Sequence, residues 1–151
     1  MKNIFYLNFQ EISINHKSLP KQVELFRLSN CGLTKIHQNS FAHCHDLKTI
    51  IFENLKELHL KKRFYSQKEV ETEVSNLTLT KIGLVKLSNE AFSNFPKTTR
   101  SFFSEIGLPE VGERGLEILT DTFIISNSNI GKLEKGNIVT YLFFYHITMY
   151  E

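Results

Sequence analysis

The chain has 151 residues, 41% of them hydrophobic and 23% charged, with seven glycines and three prolines. That composition excludes a disordered or collagenous chain, and the length suits one domain. Eighteen basic against sixteen acidic residues, a formal net charge of +2, is too balanced to point to nucleic acid or a membrane surface, and two cysteines cannot build the disulfide framework of a small secreted scaffold.

The amino terminus, MKNIFYLNFQEISINHK, has a short apolar stretch, but Asn8, Gln10 and Glu11 interrupt it before any small-residue cleavage site, so no signal peptide is read there. Ile12 and Ile14 alternate as a first strand would, and SLP then leads into KQVELFRLSN.

From Leu28 the chain repeats itself. LSNCGLTKIHQNSFAHC aligns without a gap on LTKIGLVKLSNEAFSNF from Leu79, placing Cys31 on Ile82, Gly32 on Gly83, Leu33 on Leu84, Ile36 on Leu87, Phe41 on Phe92 and Cys44 on Phe95. A third copy from Phe103 supplies Ile106, Gly107, Leu108, Val111, Leu116 and Leu119. A fourth from Ile125 supplies Ser128, Ile130, Leu133 and Ile138. Before each copy two apolar residues stand two apart, a strand signature, with starts at residues 26, 50, 77, 101 and 123 and steps of 24, 27, 24 and 22. Ser101 occupies a usually apolar slot. The unit from Leu47 to Glu73 offers Leu55, Leu58, Leu60 and Phe64 but breaks the spacing, which predicts a bulge on the convex side.

A fixed period of this size predicts a solenoid coil of strand, turn and irregular return. The apolar tail from Ile138 to Tyr150 is shorter than the roughly 20 residues a membrane helix needs. Ile147 and Met149 fit an incomplete last repeat there. The expected division is a cap-like segment over 1–22, repeats over 23–46, 47–73, 74–97, 98–119 and 120–143, and the incomplete repeat over 144–151.

The unit "L.L..(N/C).L..I....F..(C/L)" at near 24-residue spacing resembles the leucine-rich repeat, in its class with Phe in the back half. SLPKQVELFRLSNCGLTKI, from Ser18 to Ile36, is similar to the junction between cap and first repeat in extracellular animal members. Phe41, Cys44, Leu47 and Ile50 resemble instead the "F..C..L..I" of the BspA-like subclass, and the Pro-led entry favours the animal type. The resemblance implies an α/β solenoid: a curved parallel β-sheet on the concave face and an irregular or short helical convex side. It also implies that Leu28, Leu33, Ile36 and Phe41 point inward, and an extracellular or cell-surface location. The slot that most often holds Asn in this family carries Cys31, Leu55, Ile82, Ile106 and Ser128, so the backbone after each strand needs other partners.

The stretch NCGLTKIHQNSFAHCHD, Asn30 to Asp46, is rich in metal ligands, and zinc would require four of them converging tetrahedrally. Cys31 and Cys44 occupy inward slots, whereas His37, His43 and His45 fall between them and should face solvent. No metal or cofactor is expected. The state of the two thiols stays open, since a disulfide would need Cα atoms within about 7 Å. Lys61, Lys62 and Arg63 precede Glu69, Glu71 and Glu73 and read as a solvated bulge. Asn76, Leu77 and Thr78 form an N-glycosylation acceptor. GLPEVGERG has the wrong spacing for a dinucleotide fingerprint, and the recurring Gly32, Gly83 and Gly107 read as turn residues. No nucleophile, base and orienter grouping emerges, so an enzyme is not expected.

What remains is surface. The residues between the inward strand positions form one outward column: Arg27, Ile51, Thr78, Phe102 and Ile124, with Arg100 beside it. Apolar members among polar neighbours make this a protein-binding strip. The expected function is a non-catalytic protein interaction module with an unidentified protein ligand, no nucleic acid and no transmembrane segment. The alternative is a fragment of a larger extracellular or cell-surface leucine-rich repeat receptor or adhesion protein.

Overall fold

A computed structural model describes residues 2–16, 18–66 and 73–131. Its strands are β1 (Asn3–Leu7), β2 (Glu11–Ile14), β3 (Leu25–Ile36), β4 (Thr49–Leu60), β5 (Glu73–Leu87), β6 (Lys97–Leu108), β7 (Thr120–Ser126) and β8 (Asn129–Ile130). All pairings are parallel, in the order β1-β3-β4-β5-β6-β7, with β2 on β3 and β8 on β6. The result is a stack of coils, a parallel β-solenoid of about five turns.

Each long strand bends once, at a residue with left-handed φ: Asn30 (55°), Asn54 (50°), Lys81 (53°) and Glu105 (54°). The bend divides it into a first and a second arm. In the opening coil the arms are separate strands, β1 and β2, joined through Asn8 (63°); at the far end β7 and β8 are joined through Asn127 (49°). Asn tolerates this conformation better than most residues.

Register follows the spacing of the apolar pairs. Phe26 faces Ile50, then Leu77, Ser101 and Phe123, the same steps read in the sequence. Ser101 is fully buried like its apolar neighbours, and its hydroxyl lies 2.9 Å from Thr98 Oγ1, so the inward polar group is satisfied. Ile12 and Ile14 do form a strand, but one paired with the second arm of β3 (Ile12 with Thr34, Ile14 with Ile36). The first-arm position belongs to β1, where Ile4 faces Phe26 and Tyr6 faces Leu28.

The expected α/β architecture is corrected: no helix occurs among the described residues. Two sides of the coil carry β-ladder, which leaves only a short return. The return after β3 closes as single turns, with Ser40 N donating to His37 O, Ala42 N to Asn39 O and Cys44 N to Phe41 O; the return after β5 repeats the pattern at Ala91, Ser93 and Phe95. Left-handed φ at Asn39, Glu90 and Asn94 interrupts any helical run.

Aromatic rings fill the coil. Phe26 meets Phe41 edge-on at 4.9 Å, Phe41 stacks on Tyr65 at 5.6 Å, and Phe64 meets Phe92 at 5.1 Å; Phe103 and Phe123 continue at 5.0 Å. Edge-to-face pairs of this kind add about 0.5–1.5 kcal/mol each beyond their area. Leu55, Leu58 and Leu60 are in register and buried, and Phe64 is buried too, so the expected irregularity of that unit is not in the strand. The rest of that unit, residues 67–72, lies outside the described residues, and so does any bulge there.

Two inward expectations are corrected. Leu33 is half-buried and Thr34 points inward with Leu58 and Val85, because alternation restarts after the bend. Leu119 is 41% exposed, and Leu116 and Ile118 are buried in its place. The repeated glycines are not positive-φ turn residues. A Cβ on Gly83 would lie 2.8 Å from the carbonyl oxygen of Lys56 in the coil before, and Gly32 and Gly107 sit still closer to Gln10 O and Gly83 O. At these three positions a side chain would meet the backbone of the coil before. The incomplete last repeat, with Leu133, Ile138, Ile147 and Met149, lies outside the described residues.

Candidate functional site

The first arms present one flat outward face. Register aligns Arg27, Ile51, Thr78, Phe102 and Ile124 in a single column, and all five are half-exposed. Phe5 heads the column opposite Arg27 and is 52% exposed. Sequence reading misses it because Ile12 and Ile14 present themselves as the first strand; the alternation of Ile4 and Tyr6 around Phe5 is the available signal. Arg100 stands in the neighbouring column, between Asn76 and Thr122, and is exposed.

The two arginines differ in their electrostatics. Arg27 donates from Nε to Glu53 Oε1 at 3.0 Å and also from Nη2, while Ser29 Oγ donates to the same oxygen at 2.8 Å. The Arg27 hydrogen bond, more than Ser29, holds the Glu53 carboxyl below its ordinary range against the opposing effect of burial. Arg100 instead lies over the Phe102 ring, its guanidinium carbon 5.4 Å from the centroid. A hydroxyl column runs beside the strip, where Ser126 Oγ donates to Ser104 Oγ at 3.1 Å.

The second arms are more charged. Glu57 accepts from His59 Nε2 at 2.8 Å and pairs with Lys86 at 3.2 Å, and the His59 bond chiefly lowers the Glu57 carboxyl. Along the bend an open groove of about 670 Å³ is lined by Asn8, Asn30, Asn54, Phe9, Leu33 and Lys56, among others. Its backbone is satisfied from coil to coil: Gly32 N donates to Phe9 O and Leu33 N to Gln10 O, both at 2.9 Å. In the slot expected to hold Asn, Cys31, Leu55, Ile82 and Ile106 are buried, while Ser128 Oγ accepts from Ile106 N at 3.2 Å. Asn30, Asn54 and Asn127 stand one position earlier, at the left-handed bend, where Lys81 and Glu105 hold the other two places.

The histidine and cysteine stretch does not converge. Cys31 and Cys44 are both buried free thiols; Cys31 Sγ donates to Ser29 O at 3.2 Å, and burial pushes the Cys44 thiol up to about 11. His45 is exposed, but His37 and His43 are half-buried, and the His43 ring bonds the Leu19 carbonyl, correcting the expectation that all three face solvent. His43 sits there because the return turn packs on the Ser18 to Val23 segment. Among the described residues no group of three His, Cys, Asp or Glu could hold a metal. Lys62 and Arg63 pair with Glu90, at 3.0 and 3.3 Å. Glu69 and Glu71 lie outside the described residues. Asn76 is exposed on β5, and its glycosylation acceptor partner Thr78 belongs to the strip itself.

No helix among the described residues is long and apolar enough to cross a membrane. Compared with protein-family models, curated proteins and solved structures, the chain matches none.

Proposed function

We propose that this chain is a non-catalytic protein interaction module, docking a protein ligand across the outward face of its first arms at Arg27, Ile51, Thr78, Arg100, Phe102 and Ile124. The observation that carries this reading is the register. Residues 24, 27, 24 and 22 apart in sequence stand in one unbroken column, apolar at Ile51, Phe102 and Ile124 and bordered by polar side chains. A rigid parallel ladder fixes such a surface before a partner arrives, which lowers the ordering cost of binding.

The finer assignment is to the leucine-rich repeats. The inward recurrence of Leu28, Ile36 and Phe41 with their counterparts supports it, and the Pro-led entry at Ser18 to Pro20 favours the animal extracellular type. An extracellular or cell-surface location rests on family resemblance. No cofactor or catalytic chemistry is part of this reading.

The test is capture by the immobilised chain from extracellular fluid and from lysate, run separately, with Phe102→Ser and Ile124→Ser combined in one variant. The expected outcome is a lost partner with an unchanged circular dichroism spectrum. A retained partner overturns the reading.

A further inference from the structure

The two arginines of the outward face are not equivalent, and the difference bears on the chemistry of the partner that the proposed interaction module would dock. Arg27 is neutralised by Glu53. Arg100 has no carboxylate within ion-pair distance among the described residues, and its guanidinium is held over Phe102. Around Arg100 and Phe102 the neighbouring outward positions on β5 and β7 are Asn76, Thr78, Thr122 and Ile124, none of them charged, while the exposed Glu73 and Lys97 stand at the starts of β5 and β6. Asp121, at the edge of this region, pairs with Lys97 at 3.5 Å. The centre of the β5 to β7 half, at Phe102 and Ile124, therefore has beside it one cation that no carboxylate pairs among the described residues.

We propose that this half takes an extended segment of a partner protein bearing a carboxylate side chain two residues from an aliphatic one, an inference that rests on the interaction reading. Arg100 and Phe102 are two apart on one strand, so their side chains leave the sheet about 6.8 Å apart, the same spacing as side chains on one face of an extended segment. The carboxylate meets a guanidinium already oriented by its ring contact, which reduces the rotamer freedom lost on binding. Asn76 and Thr122 flank Arg100 in the same row, about 4.8 Å to either side, and supply donors for the remaining carboxylate lone pairs. Phe102 and Ile124, adjacent in the next row, receive the aliphatic group.

The test is a titration of the full chain with a labelled synthetic hexapeptide carrying glutamate and leucine two positions apart, against the same peptide with lysine for glutamate. The acidic peptide is expected to bind, weakening as salt is raised, with the basic one more than about tenfold weaker. Arg100→Glu should reverse that preference, and Lys86→Gln, on the second arm of β5, should leave it unchanged. Equal binding of the two peptides, or no binding of either up to about 1 mM, at the weak end of the affinity scale, overturns the proposal. The captured partner separates the two readings. If Arg100→Glu keeps it while the Phe102→Ser, Ile124→Ser variant loses it, the strip stands and the acidic preference falls; if both variants keep it, both fall.

Discussion

Asn54 donates its side-chain amide to Oδ1 of Asn30 at 2.6 Å, linking two residues 24 apart at the left-handed bend of successive coils. The next member of that column is Lys81, with φ of 53°. For a residue other than Gly, Asn or Asp this conformation costs roughly 1–2 kcal/mol. Lys81→Asn relieves part of that strain and extends the amide ladder by one rung. The expected gain is up to about 1 kcal/mol, seen as a higher urea midpoint at unchanged slope; an unchanged or lower midpoint contradicts it.

Thr34 is fully buried, and its hydroxyl has no hydrogen-bond partner among the described residues. Its column neighbours are Ile12 and Leu58, so the surroundings are apolar. An unsatisfied buried hydroxyl costs about 1–3 kcal/mol, and valine has nearly the same shape. Thr34→Val is expected to stabilise the chain by about 1 kcal/mol, whereas Thr34→Ser, which keeps the hydroxyl and deletes a methyl, should destabilise it. Thermal melts of the three proteins give the order.

Burial raises the Cys44 thiol from 9.0 to about 11. In the unfolded chain the thiol ionises first, so above pH 9 the unfolded state binds fewer protons than the folded one. The contribution of this group is therefore fully present below pH 9 and declines as pH rises towards 11. Cys44→Ala should lower stability at neutral pH but flatten the alkaline fall relative to the parent. The native thiol should also resist alkylation at pH 8 until urea unfolds the chain. Rapid labelling of native Cys44, identified by peptide mapping, would count against its burial.

Much of the fold is legible in the residues themselves. Phe26 and Leu28, Ile50 and Phe52, Leu77 and Leu79 state the strand, its inward face and the step to the next coil, because side chains alternate strictly along a strand. Once the step is known, the outward column Arg27, Ile51, Thr78, Phe102 and Ile124 follows. The bend is harder to see. Its column reads Asn30, Asn54, Lys81, Glu105, and only a shared φ unites them. The glycines look like turn residues until the Lys56 carbonyl is found against Gly83.

The sequence by itself determined the period, the inward residues of the first arms and the column that faces outward between them. Only the tertiary structure decided what lies beyond the bend. A left-handed residue re-phases the two-residue alternation, so that inward Cys31 is followed by inward Thr34 and not by Leu33. Tertiary structure also decided that Arg27 is neutralised by Glu53 while Arg100 is held over Phe102. Those contacts depend on which side chains stacking brings within reach, and no repeat pattern records that a partner 26 residues away carries the opposite charge.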